Sequence, residues 1–191
     1  MNNVILTDVD GVLLNWFHSF RQWMKLKGYE VKNMSEYDVG GIYGIDKDFA
    51  KDLVNTFNSS VYVSSLPPYK DAVKYVRKLH EEHGFVLHCI TAIPNTPEVR
   101  KFREDNLKAI FGPTVVERLE CTGTSKAKLP ILAEYADSGV PWIEDKVTNA
   151  TMGLDLGLDC YLMVHDHNEN YDHHDDLKRI ENWKELYEIL T

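Results

Sequence analysis

The chain has 191 residues, 43% of them apolar and 27% charged, with a formal net charge of -9. That length fits one α/β domain with a small insertion and is enough to bury a sizeable core. The acidic balance argues against broad binding to nucleic acid or anionic membranes. No apolar run approaches a membrane span and no signal-like N-terminal segment is evident, so a cytoplasmic location is expected.

Taken in order, residues 4–8 read as a short buried strand, closed by the acidic turn Asp8-Val9-Asp10-Gly11. Residues 15–27 carry apolar side chains at 16, 17, 20, 23 and 24, a helical stripe, and Gly28 is a plausible stop. Residues 29–47 contain three glycines and read as loop; 48–57 read as a second short helix, and 59–68 as loop or a short extended segment. The stretch 15–66 is too long for an ordinary strand–helix connection. It is expected to form a small, mostly helical cap, with 1–14 and 67–191 forming the core domain.

Regular alternation follows. Residues 70–83 predict a helix ended by Gly84, and 85–90 a buried strand leading into Thr91. Thr96-Pro97 reads as a helix cap followed by a first-turn proline, and that helix stops at Gly112-Pro113. A strand is expected over 115–121, a helix over 128–136, a strand over 140–143, a helix over 148–156 and a strand over 158–164. A polar loop, 165–176, leads to a last helix at 183–190. Strands alternating with helices predict an α/β fold, an open parallel Rossmann-like sheet with helices on both faces. Cys89, Cys121 and Cys160 lack metal-like spacing and read as reduced thiols.

Successive strand residues point to opposite faces, so Asp8 and Asp10 share a side. Two carboxylates held together are costly without a cation between them, which points to a divalent metal and an anionic substrate. Thr91 and Glu144-Asp145 directly follow expected strands, and Lys126 comes a few residues after another. Ligands of open parallel sheets bind outside the carboxyl ends of the strands, so these residues should converge on one crevice. Singly, each could be a cap, a solvated lysine or a turn; their order along the chain argues otherwise.

In that order the chain resembles the phosphatases of the haloacid dehalogenase (HAD) superfamily. The matching motifs are Asp8-Val9-Asp10-Gly11-Val12, Thr91 at the end of Val86-Leu87-His88-Cys89-Ile90, Lys126 in Thr124-Ser125-Lys126, and Glu144-Asp145 closing Trp142-Ile143. Within that superfamily the long insertion, the run Leu66-Pro67-Pro68-Tyr69-Lys70-Asp71-Ala72 and the ending Arg179-Ile180-Glu181-Asn182-Trp183-Lys184-Glu185-Leu186 resemble the 5'(3')-deoxyribonucleotidases. The chain departs from those relatives at Tyr69-Lys70, at Ala92-Ile93-Pro94 where they often carry Ser-Pro, and at Glu144 where they carry Asp.

The resemblance implies Mg²⁺-dependent hydrolysis of a phosphate monoester through an aspartyl-phosphate. Asp8 would be the nucleophile and Asp10 the general acid/base. Asp8, the Asp10 backbone carbonyl and Asp145 or Glu144 would ligate the metal, with Asp145 favoured and Asn149 behind the ligands. Thr91, the Ala92 N–H and Lys126 would hold phosphate, with Lys128 a competitor for the lysine role. Trp16 stands where those relatives place an aromatic against the base, while Phe17, Phe20 and Trp23 suit the cap's own core. The expected partner is a small-molecule phosphate monoester, foremost a nucleoside monophosphate, with no polymeric nucleic acid and no membrane; a homodimer is left open. The rival readings are a phosphatase for another small phosphoester, such as a sugar phosphate, and a non-catalytic phosphate-sensing domain. Residues 166–177 imitate a calcium loop, but Tyr171 and Leu177 stand where it needs Gly and Glu, so a solvated loop is expected there.

Overall fold

In a computed structural model, the structure describes residues 3–36, 38–169 and 174–191. Six strands, β1 (Val4–Thr7), β2 (Val86–Thr91), β3 (Val116–Cys121), β4 (Pro141–Glu144), β5 (Asp159–Met163) and β6 (Lys178–Ile180), form one sheet in the order β3-β2-β1-β4-β5-β6. Every pairing is parallel. Parallel sheets need both faces covered, and β1 shows how the sequence meets that need. Ile5 belongs to one apolar cluster, with Leu87, Leu107 and Trp183, and Leu6 to the opposite one, with Ile90, Trp142 and Leu162. All three cysteines are buried and unpaired by disulfides.

The helices are α1 (Trp16–Leu26), α2 (Val39–Tyr43), α3 (Lys47–Asn58), α4 (Lys70–His83), α5 (Pro97–Phe111), α6 (Leu129–Leu132), α7 (Val147–Leu154) and α8 (Trp183–Leu190). Their ends follow local chemistry. Asn15, Asp46, Thr96 and Asn182 accept N-terminal amides of α1, α3, α5 and α8 through their side chains. Between β1 and α4 the chain forms α1, α2, α3 and a 3-10 turn at Val61–Ser65. Phe20, Trp23 and Phe57 pack ring to ring inside that insertion.

Two expectations needed correction. Residues 29–47 are not all loop: α2 forms despite Gly40-Gly41, because Asp38 Oδ1 caps the Gly41 N–H at 3.0 Å and Gly44 closes the helix at φ +61°. The continuous helix expected over 128–136 is broken into a 3-10 turn (Ser125–Lys128), α6 and a second 3-10 turn (Ala133–Tyr135); Pro130 lacks the N–H a longer helix would need. Strand β6, at residues for which no element was expected, is a three-residue edge strand with too short a pattern to read.

The register sets up a site. Thr7 lies opposite Cys89 on one side and Ile143 on the other. The residues that follow, Asp8, Thr91 and the Glu144-Asp145 pair, therefore emerge at the same edge, where the strand order reverses direction about β1. The far end of the chain secures this edge: Trp183 Nε1 donates to the Val12 carbonyl at 3.0 Å, and Trp183 N–H to Asp71 Oδ2 at 2.6 Å.

Candidate active site

A cavity of about 440 Å³ opens at that edge, with Asp8, Asp10, Thr91, Ala92, Lys128 and Asp145 among its lining residues. Trp16, Phe17, Val39, Ile42 and Val54 of the insertion line it as well, as do Tyr69, His165 and His167.

Asp8 is buried, and two donors hold its Oδ1: the Val9 N–H at 2.7 Å and Lys128 Nζ at 3.0 Å. The carboxylate is thus fixed in one orientation. Burial pushes its pKa up to about 7 against the pull of Lys128, with Glu144 and Asp10 adding to the rise. Asp145 is likewise raised, first by burial and then by Glu144 and Asp8. Ligand oxygens of Asp8, Glu144 and Asp145 lie within 4.8 Å of one another. Such crowding of carboxylates suits a hard divalent cation, which offsets the repulsion and prefers oxygen donors.

The two acids of the pair have different surroundings. Glu144 is fully buried and engaged: Oε1 accepts from Lys128 Nζ at 2.7 Å and Asn149 Nδ2 at 2.6 Å, and Oε2 from the Lys146 N–H at 2.8 Å. Asp145 lines the cavity. Its carboxylate is the one of the pair that faces the cavity, while Asn149 is a partner of Glu144.

Of the two lysines weighed for the phosphate role, the structure brings Lys128 to this cavity and leaves Lys126 outside it. Lys126 is exposed and is not among the lining residues, whereas Lys128 is wholly buried between Asp8 and Glu144. Burial pulls an ammonium toward neutrality, yet Asp8 and Glu144 outweigh it and hold Lys128 protonated. The 3-10 turn explains the swap, because it directs residue 128 inward rather than 126.

Thr91 is buried, and its hydroxyl has no hydrogen-bond partner among the described residues. Gly11 adopts φ +89°, and a Cβ there would lie 2.2 Å from Asp145 Oδ2; only glycine fits. Asp10 faces the buried Arg103 of α5. Arg103 Nη2 donates to Asp10 Oδ2 at 2.9 Å, and Nη1 lies 2.7 Å from Oδ1 in an ion-pair contact too bent for a second hydrogen bond.

Trp16 stacks on Phe20 with centroids 4.5 Å apart, and its Nε1 donates to Asn58 Oδ1 at 2.7 Å. The ring is therefore both packed into the insertion and part of the cavity wall.

Two features escaped sequence reasoning. Residues 165–167 line the cavity from a loop in which Asp166 is exposed and Asn168 buried. Asn168 is buried, accepts the His165 N–H at 2.9 Å and donates to the Asp145 and Met163 carbonyls, each at 2.8 Å. Of the calcium-like pattern, residues 170–173, Tyr171 included, lie outside the described residues. His165 Nε2 lies 2.6 Å from the Gly11 carbonyl, and His167 Nε2 3.3 Å from that of Asp145. A carbonyl only accepts, so both rings carry the proton on Nε2; burial keeps both below the usual imidazole value. Arg103 was the other omission. Its signal was available: a charged residue four positions from both Val99 and Leu107 on the inward stripe of α5.

Solved structures of similar shape cover nearly the whole chain. The L-2-haloacid dehalogenase of Xanthobacter autotrophicus, with chloropropionic acid covalently bound, superimposes at a TM-score of 0.61 over 100% of this chain and 98% of that one. This is the haloacid dehalogenase fold. The YfnB protein of Bacillus subtilis bound to magnesium gives 0.63 over 98% of both chains, and CbbY of Rhodobacter sphaeroides in complex with phosphate 0.61 over 97% and 96%. Identities are 10%, 14% and 14%, so the likeness is one of fold. No protein-family model matches. One curated relative, an uncharacterized 32.4 kDa protein of Enterobacteria phage T4, is 30% identical over 153 residues, which is 76% of this chain. The chain spans about half, 54%, of that relative's length. No helix among the described residues is long and apolar enough to cross a membrane.

Proposed function

We propose that this chain is a phosphatase of the HAD type that hydrolyses the phosphate monoester of a nucleoside monophosphate. The observation that carries the reading is the buried, unpartnered Thr91 hydroxyl on the same cavity as Asp8 and Lys128. A buried hydroxyl without a partner is costly, and a phosphate oxygen would satisfy it. The Ala92 N–H is a second candidate donor, and Lys128 supplies positive charge in place of the Lys126 that the resemblance implied.

In the proposed reaction a carboxylate oxygen of Asp8 attacks phosphorus. The bond to the leaving oxygen breaks as Asp10 protonates it, and an aspartyl-phosphate remains. Asp10, now a carboxylate, takes a proton from water, whose oxygen attacks phosphorus and releases phosphate and Asp8. Asp8 and Asp145, with the Asp10 carbonyl that the resemblance implies, would hold Mg²⁺ through oxygen donors alone, and that cation would supply charge neutralisation at the phosphate when bound. Gly11 gives the turn its shape, and Glu144 keeps Lys128 in place. A dehalogenase has no need of a second acid such as Asp10, which favours phosphoryl transfer.

The nucleotide part of the reading rests on the insertion, read as a cap. Trp16, Phe17, Val39, Ile42 and Val54 make an apolar wall that suits a base. Phosphate release from deoxynucleoside monophosphates, sugar phosphates and p-nitrophenyl phosphate, with Mg²⁺ and in chelator, tests both parts. Release that needs Mg²⁺ and is lost in Asp8→Asn supports the phosphatase; preference for nucleotides supports the cap's role. No release from any ester sinks the reading, and preference for sugar phosphates replaces the nucleotide.

A further inference from the structure

Arg103 occupies a position where an apolar side chain would be expected. It lies on the inward stripe of α5 with Val99 one turn before it and Leu107 one turn after, and it is completely buried. Asp10 holds one end of its guanidinium through one hydrogen bond at 2.9 Å and an ion-pair contact at 2.7 Å, while Nε and Nη1 have no hydrogen-bond partner among the described residues. Burying a guanidinium with an incomplete set of partners is unfavourable, and a well-packed apolar residue commonly serves stability as well or better. Packing therefore does not account for Arg103.

Geometry does. Asp10 sits on the turn beyond β1 with its side chain 21% exposed at the cavity, where an aspartate would otherwise choose among rotamers. A guanidinium that bonds one carboxylate oxygen and lies in ion-pair contact with the other favours one orientation. The helix behind the fork is itself anchored. Thr96 caps its start, and Asn106, nearly one turn past Arg103, donates to the Leu66 carbonyl at 3.2 Å at the end of the insertion.

We propose that Arg103 is a positioning residue, whose buried guanidinium fixes the Asp10 carboxylate in the orientation that exchanges a proton with the substrate oxygen and the attacking water. The proposal rests on the phosphatase reading. Arg103 does not touch substrate; it acts through Asp10. Substrate grip by Thr91, Lys128 and Trp16 does not depend on it.

The test uses steady-state kinetics of the full chain on p-nitrophenyl phosphate with Mg²⁺. Arg103→Ala is expected to lower kcat on the order of 10²-fold, the scale of a reacting group misplaced by about an ångström, with little change in KM. Millimolar guanidinium is expected to restore part of that kcat and to leave Asp10→Asn unaffected. The double variant Asp10→Asn/Arg103→Ala is expected to match Asp10→Asn alone, since residues acting as one unit are not additive. A structural arginine would instead add its loss to that of Asp10→Asn and raise KM. If Arg103→Ala does not fold, Arg103→Lys carries the test, because it keeps the charge and the buried stem but not the fork. Near-wild-type kcat in either variant, or additive losses in the double variant, overturns the inference and leaves the phosphatase standing. A wild-type chain inactive on every phosphoester overturns both.

Discussion

Asp145 Oδ2 occupies the space next to Gly11, 2.2 Å from where a Cβ would sit. The turn after the first strand and the acid after the fourth are therefore matched to each other by shape. Gly11→Ala must both hold a side chain at φ +89° and push Asp145 aside. The conformational part alone costs about 1–2 kcal/mol, and moving Asp145, the proposed ligand, should weaken Mg²⁺ as well. Urea denaturation and titration calorimetry read the two effects. Wild-type stability together with wild-type Mg²⁺ affinity would contradict this account of the turn.

The exchange of lysine roles is directly testable. Lys128→Met leaves Asp8 and Glu144 buried without their shared cation. Breaking a buried pair in this way typically costs about 3–5 kcal/mol, so the variant should be much less stable and inactive. Lys126→Met alters an exposed side chain and should change stability by less than about 0.5 kcal/mol, with kcat near wild type. Loss of activity on changing Lys126 while Lys128→Met still turns over would return the role to residue 126.

Glu144 and Asp145 should separate by phenotype. Glu144→Gln disturbs contacts with Lys128, Asn149 and the Lys146 N–H, and should cost about 1–3 kcal/mol of stability through mismatched buried groups. Asp145→Asn removes a carboxylate raised by burial and by its neighbours, so its larger effect should be on Mg²⁺ affinity. Calorimetry with each variant, alongside thermal unfolding, ranks them. Weaker metal binding in Glu144→Gln than in Asp145→Asn would make Glu144 the ligand.

Trp16→Ala tests the base. Stacking on an aromatic ring is worth about 1–3 kcal/mol, so KM for a deoxynucleoside monophosphate should rise roughly five- to a hundredfold. Trp16 also packs on Phe20 and bonds Asn58, so p-nitrophenyl phosphate serves as the control. Equal losses on both substrates would assign the ring to packing alone.

The parallel sheet was legible because its signals are local: buried apolar runs, and caps such as Thr96-Pro97 that make their contacts within a turn. The convergence of Asp8, Thr91 and Asp145 was legible because each stands at or just past a strand end, and strand ends gather in this topology. Lys128 was harder, since a 3-10 turn of four residues decides which lysine points inward, and no periodicity reports that. Arg103 and Asp10 are 93 residues apart, and only the packed structure makes them neighbours. His165, His167 and Asn168 sat in a polar stretch whose composition resembles solvent-exposed loop; their hydrogen bonds to Gly11 and Asp145 depend on a register that sequence does not display.

The bond from Trp183 to the Val12 carbonyl spans 171 positions, and it has a consequence in time. A ribosome adds about 5–20 residues per second, so the catalytic turn is made on the order of 10 to 30 seconds before the indole that fastens it. Until then Asp8 and Asp10 belong to a nascent chain with an unpinned turn, and β1 must also await β4 to become a central strand. On the proposed phosphatase reading, competence should therefore await the docking of α8 rather than accumulate as the chain lengthens.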